Sequence, residues 1–145
     1  MGNLRVAVCD DEPMDLVQTI TLIQQYDTGK CFDIFSYTRA VDLLKIALEK
    51  PFDVVLLDIE METPNGYEIA KKLVMLPSPP VIIFVTKSSA YTLKGYGIAL
   101  RYLQKPLARA AFEEALDASV HEAIAHRLYF TSEDRTVALP LREIL

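Results

Sequence analysis

Apolar and polar positions along the chain fall into two alternating kinds of stretch. Short runs dense in Val, Ile, Leu and Phe read as strands at 4–9 (LRVAVC), 31–36 (CFDIFS), 52–59 (FDVVLLDI), 80–86 (PVIIFVT) and 99–105 (ALRYLQK). Between them apolar residues recur at helical spacing, over 13–26, 38–50, 65–76, 89–98 and 107–127. The predicted inward faces are Leu16, Val17, Ile20 and Ile23 in the first helix and Val41, Leu44 and Leu48 in the second. In the last helix they are Phe112, Leu116, Val120 and Ile124. Pro13 suits a first helical turn, and Gly95 with Gly97 weakens the fourth helix. The unbroken apolar runs at 52–59 and 80–86 suit strands covered on both faces. Strand then helix, five times over, implies a parallel sheet with helices on both sides, a doubly wound α/β domain. Beyond residue 127 the alternation stops, and the chain reads as two short strands around Ser132-Glu133-Asp134.

Length and charge narrow this further. A chain of 145 residues, 51% apolar and 24% charged, suits one soluble domain with a short tail. Its net charge of −5 argues against a basic face that grips nucleic acid. No apolar run approaches the roughly 20 residues of a membrane helix, and the amino terminus lacks a signal-peptide pattern. Cytoplasmic location and no membrane partner are expected. Cys9 and Cys31 show no ligand spacing and are expected to be reduced core thiols; His121 and His126 are expected on a helix surface.

The polar residues that end the apolar strands carry the chemistry. The first strand runs into Asp10-Asp11, the third ends at Asp58, the fourth at Thr86 and the fifth at Lys105. In open α/β sheets ligands sit beyond the carboxyl ends of strands. Three carboxylates, a hydroxyl and an ammonium therefore converge on one edge. Crowded carboxylates repel, and a hard divalent cation such as Mg²⁺ relieves that conflict through oxygen ligands. With a nearby hydroxyl and lysine, the set is suited to phosphoryl transfer. Each residue taken singly has a plainer explanation. Acids after a strand cap a helix, Asp58 or Thr86 can start a turn or cap, and Lys105-Pro106 can be loop.

The stretches CDDEP (9–13), VVLLDIEMETPNG (54–66), VIIFVT (81–86) and YLQKP (102–106) together resemble the receiver domain of bacterial two-component response regulators. The likeness runs over residues 4 to about 125. It implies a flavodoxin-like (βα)5 fold with strand order 2-1-3-4-5. It implies Asp58 as phosphoacceptor, with Mg²⁺ (or another divalent cation such as Mn²⁺) held by Asp10, Asp11, Asp58 and the backbone carbonyl of Glu60. It implies Thr86 and Lys105 as the groups that bind the phosphoryl group, Tyr102 as the switch aromatic, Pro106 at a cis-proline position and Gly66 as a turn glycine. Two positions depart from the family pattern. Lys87 follows Thr86 where a small residue is usual, and Glu62 stands where Pro is common, with Pro64 two residues later. Lys87 and Glu60 are candidate modulators of phosphorylation.

Segments 91–116 and 129–145 further resemble LytR/AlgR-like regulators with a LytTR DNA-binding domain. On that reading residues 1–126 are the receiver and 127–145 are a linker and the start of the DNA-binding domain. The expected function is a non-enzymatic signalling module. A sensor histidine kinase phosphorylates Asp58, and the domain assists its own phosphorylation and dephosphorylation there. The face formed by the fourth helix, fifth strand and last helix then controls homodimerisation, with Leu93, Tyr96, Arg101 and Glu113 as contributors. Promoter DNA is contacted through the C-terminal domain alone. The alternative is a pseudo-receiver that acts without phosphorylation. A haloacid-dehalogenase-type phosphatase fits poorly, because the acids after the first strand are adjacent rather than spaced Asp-x-Asp.

Overall fold

The computed structural model describes residues 3–61, 65–87 and 97–134, with side chains described through Leu128. Five parallel strands are β1 (Leu4–Cys9), β2 (Phe32–Tyr37), β3 (Val54–Asp58), β4 (Val81–Thr86) and β5 (Arg101–Gln104). They lie in the order β2-β1-β3-β4-β5, as the resemblance implies. The described helices are α1 (Pro13–Tyr26), α2 (Ala40–Glu49), α3 (Gly66–Leu73) and α4 (Arg109–Asp134). The helix expected at 89–98, with Leu93 and Tyr96, lies almost wholly outside the described residues, as do Glu62, Pro64 and residues 135–145.

Side chains alternate across a strand, so each central strand feeds two cores. Val6, Val8, Val54, Leu56, Ile83 and Val85 face α1 and α4, where Leu16, Ile23, Phe112 and Leu116 meet them. Ala7, Cys9, Val55, Leu57, Ile82 and Phe84 face α2 and α3, against Leu43, Ala47, Ile69 and Leu73. Every residue of β3 and β4 is buried, as their unbroken apolar composition requires.

Several predicted faces need correction. In α2 the buried residues are Ala40, Leu43 and Ala47, while Leu48 is 64% exposed. Small alanines let the helix approach the sheet closely, so the larger residues beside them sit at the margin. In α1 Val17 is 62% exposed. In α4 Phe112, Ala115, Leu116 and Ala123 are buried, but Ile124 is exposed. Strict four-residue steps drift about 40° per step around a helix of 3.6 residues per turn, so a face built from them spirals off the core. Cys31 is exposed rather than buried, whereas Cys9 is a core thiol whose pKa is pushed up to about 12 by burial and then by Asp10.

The last helix also differs. It runs on to Asp134, across the stretch expected to start a strand and turn. No Gly or Pro interrupts residues 107–134, so nothing in the backbone chemistry stops it. Arg127, the first residue assigned to the linker, is tied to the domain. Its guanidinium donates to Asp53 Oδ1 and Oδ2 at 2.9 and 2.8 Å and to the Asn3 carbonyl at 2.7 Å.

Candidate functional site

The carboxyl ends of β1, β3, β4 and β5 meet at one edge, and parallel pairing sets their heights. Cys9 pairs with Leu57, and Asp58 with Val85, so Asp10, Asp58 and Thr86 emerge together. All three are buried, while Asp11 is exposed. Oxygens of Asp10, Asp11 and Asp58 come within 4.8 Å of one another. Lys105 follows β5, and its Nζ donates to Asp10 Oδ2 at 2.7 Å and to Asp58 Oδ2 at 3.2 Å. The structure therefore brings together the five residues picked from strand ends.

The plainer explanation accounts for one oxygen of Asp10 and one of Asp58, each of which fixes a turn, and leaves the other. Glu12 occupies the N-cap of α1 and makes no side-chain cap bond. Asp10 Oδ1 instead accepts from the Glu12 amide at 2.9 Å, which fixes the turn and leaves Oδ2 for the site. Asp58 Oδ1 likewise accepts from the Glu60 amide at 3.0 Å.

The described residues on either side of 62–64 are tied together at the start of α3. Asn65 and Glu68 form a reciprocal capping box, with the Asn65 side chain accepting from Glu68 N at 2.9 Å. Gly66 N donates to the Ile59 carbonyl at 3.1 Å. A Cβ on Gly66 would collide with the Asp58 carbonyl oxygen and lie 2.9 Å from the Asp58 carbonyl carbon. The turn glycine is thus required by the backbone of Asp58 itself.

Electrostatics single out Asp58. Burial, then the neighbouring Asp10, pushes its carboxyl up to about 6, against the opposing pull of Lys105 and the Glu60 amide. Burial works against the Lys105 ammonium, but hydrogen bonds to Asp10 and Asp15 and the charge of Asp58 outweigh it, so its pKa is raised. Negative charge exceeds positive in this pocket, the condition under which a hard cation with oxygen ligands is favoured. The donor set, three carboxylates within 4.8 Å, fits a Mg²⁺-like ion.

The remaining predicted residues are spread around this centre. Thr86 Oγ1 donates to Glu60 Oε1 at 2.9 Å, so the Glu60 side chain takes part in the site. The Lys105–Pro106 peptide is cis. Tyr102 lies on β5 with its ring 5.3 Å from that of Phe84. Its hydroxyl is enclosed and has no hydrogen-bond partner among the described residues. Lys87 is exposed at the rim. Arg101 and Glu113 do not pair with each other: Arg101 forms a two-pronged pair with Glu114, and Glu113 pairs with Arg109. Sequence reasoning missed Asp15. Its Oδ2 accepts from Lys105 Nζ at 3.0 Å. An acid in the first turn of a helix is ordinarily explained by the helix dipole, so nothing in the sequence marks it out.

Comparison with known proteins follows the same lines. The chain is 32% identical over 114 residues to the positive alginate biosynthesis regulatory protein of Pseudomonas aeruginosa, covering 78% of this chain and 46% of that one. It is 24% identical over 159 residues to the sensory transduction protein LytR of Streptococcus agalactiae, covering 98% of this chain and 65% of that one. It therefore spans about half to two-thirds of these relatives (46% and 65%). The response regulatory domain of mrkE from Klebsiella pneumoniae has the same fold, with a TM-score of 0.76 at 20% identity, covering 83% of this chain and 98% of that one. No helix among the described residues is long and apolar enough to cross a membrane. Residues 6–117 match the response regulator receiver domain, and with the strand order in agreement, the chain belongs to that family.

Proposed function

We propose that Asp58 accepts a phosphoryl group from a sensor histidine kinase, and that the resulting charge alters the surface around β5 and α4. One observation carries this reading. Lys105 Nζ lies 3.2 Å from the buried carboxylate of Asp58, beside two further carboxylates able to share a cation. Asp10, Asp11, Asp58 and the Glu60 carbonyl would hold Mg²⁺ or Mn²⁺. That ion supplies charge neutralisation at the phosphoryl oxygens.

In the transfer, an Asp58 carboxylate oxygen attacks phosphorus while the donor's P–N bond breaks and its electron pair leaves with the imidazole. Lys105 and the Thr86 hydroxyl offer the cation and the donor that the new phosphoryl oxygens need. The group adds roughly −1.5 to −2 charge at Asp58. Thr86 moving inward opens space beside Phe84 and Tyr102. The enclosed Tyr102 hydroxyl, without a hydrogen-bond partner among the described residues, supports a ring with a second position where that group is solvated. Dimerisation through the face of the fourth helix, β5 and α4, and DNA binding through a C-terminal LytTR domain, complete the output. The alignment to LytR over 98% of the chain supports that assignment.

The test is an intact-mass spectrum after incubation with acetyl phosphate and Mg²⁺. One phosphoryl adduct is expected, absent without Mg²⁺ and absent from Asp58→Asn. A folded, Mg²⁺-binding protein that takes no adduct would instead indicate a receiver acting without phosphorylation.

A further inference from the structure

Asp15 and Lys87 stand beside this chemistry without a part in it so far. Asp15 Oδ2 lies 3.0 Å from Lys105 Nζ and 4.0 Å from Lys87 Nζ. One carboxylate oxygen thus faces two ammonium groups of different character. The Lys105 side chain is 9% exposed and also bonded to Asp10 and Asp58, whereas that of Lys87 is 67% exposed.

We propose that Asp15 is a positioning residue that holds Lys105 in the resting site, and that Lys87 is the replacement counter-ion that takes over Asp15 when Lys105 turns to a phosphoryl group on Asp58. This rests on the phosphoacceptor reading of Asp58. At rest, one buried ammonium is shared among three carboxylates. A phosphoryl group draws Lys105 away from Asp15, and a carboxylate that loses its cation in a partly buried position is costly. Lys87 lies about 1 Å beyond charge-assisted hydrogen-bond distance, on a long flexible stem, and can close that gap. The large residue after Thr86 then neither blocks the donor nor grips the phosphate. It neutralises the acid that phosphorylation leaves behind.

The experiment is a double-mutant cycle on the full chain, using beryllofluoride with Mg²⁺ as the phosphoryl surrogate and measuring its Kd. Lys87→Ala is expected to weaken binding about two- to fivefold, the range of an exposed ion pair, and Asp15→Asn to tighten it by a similar factor. In the Asp15→Asn background, Lys87→Ala should change nothing. An equal loss in both backgrounds would mean that Lys87 meets the phosphoryl group directly and would overturn the proposal. Tighter binding by Lys87→Ala alone would overturn it too, by making Lys87 an obstruction. A second measurement needs no surrogate: solvent exchange of the Lys105 ammonium, followed by NMR in Mg²⁺-free protein, should speed up in Asp15→Asn. Unchanged exchange would remove the positioning role even where phosphorylation proceeds normally. If the wild-type chain binds no beryllofluoride and takes no adduct from acetyl phosphate, the phosphoacceptor reading itself fails, and the exchange of partners falls with it.

Discussion

β3 has an aspartate at each end, and the two are treated in opposite ways. Asp53, just before the strand, accepts two bonds from Arg127 and one from the Arg5 amide at 2.7 Å. Its charge is matched, and it ties the end of α4 to the amino edge of the sheet. Asp58, five residues later, is buried beside Asp10 with one lysine shared among three carboxylates. There negative charge is left in excess. A matched carboxylate holds parts together; a crowded one is poised to take a cation or a covalent partner.

Substitution should separate the two ends most sharply in the chemistry. Asp58→Asn is expected to abolish the phosphoryl adduct altogether, whereas Asp53→Ala should retain it in the folded fraction. Loss of the adduct from folded Asp53→Ala protein in the mass spectrum would break the contrast. Next in size is Gly66→Ala, which forces a side chain against the Asp58 backbone. It should cost about 2–4 kcal/mol in urea unfolding. Asp53→Ala should cost about 1–3 kcal/mol by the same measurement, because it removes two acceptors from the Arg127 guanidinium and one from the Arg5 amide. A loss well under this would mean that the pair adds little to the fold.

An effect of similar size to the last lies in pH. Asp58 in the folded, metal-free protein has its pKa raised from 3.8 to about 6. At this site the folded state then binds more protons than the unfolded one between about pH 4 and 6, so the contribution of Asp58 to stability falls as pH rises through that window. A decline of about 1–3 kcal/mol is expected in chelator, and Asp58→Asn should lack it. A rise over the same range would mean that Lys105 dominates the site.

Much of this was legible in the sequence because strand ends are marked by abrupt changes from apolar to polar residues. Asp10, Asp58, Thr86 and Lys105 each stand at such a step, and the parallel register does the rest. Asp15 stands at none; it reaches the site because α1 starts beside it, a relation that needs the turn at Asp10–Glu12 to be known. On α4 the expected Phe112 and Leu116 are buried, but on α2 and α4 the face also includes Ala40, Ala47, Ala115 and Ala123, which apolar spacing of large residues does not mark, and it excludes Leu48 and Ile124. Asp53 was passed over for a similar reason, since its partner Arg127 lies 74 positions away and no local pattern joins them.

Gly66 gives the site a direction. The peptide of α3's first residue lies so close to Asp58 that the acceptor's main chain has no freedom on that side. A charge placed on the Asp58 carboxylate therefore finds no space for the Asp58 backbone to shift toward Gly66. The side chains left to respond are those opposite, Thr86 on β4 and Lys105 after β5, with the Tyr102 ring beside Phe84 on the same side of the sheet. With no room for displacement between Gly66 and the Asp58 backbone, the proposed phosphorylation would send its mechanical consequence toward the β5 side rather than toward α3.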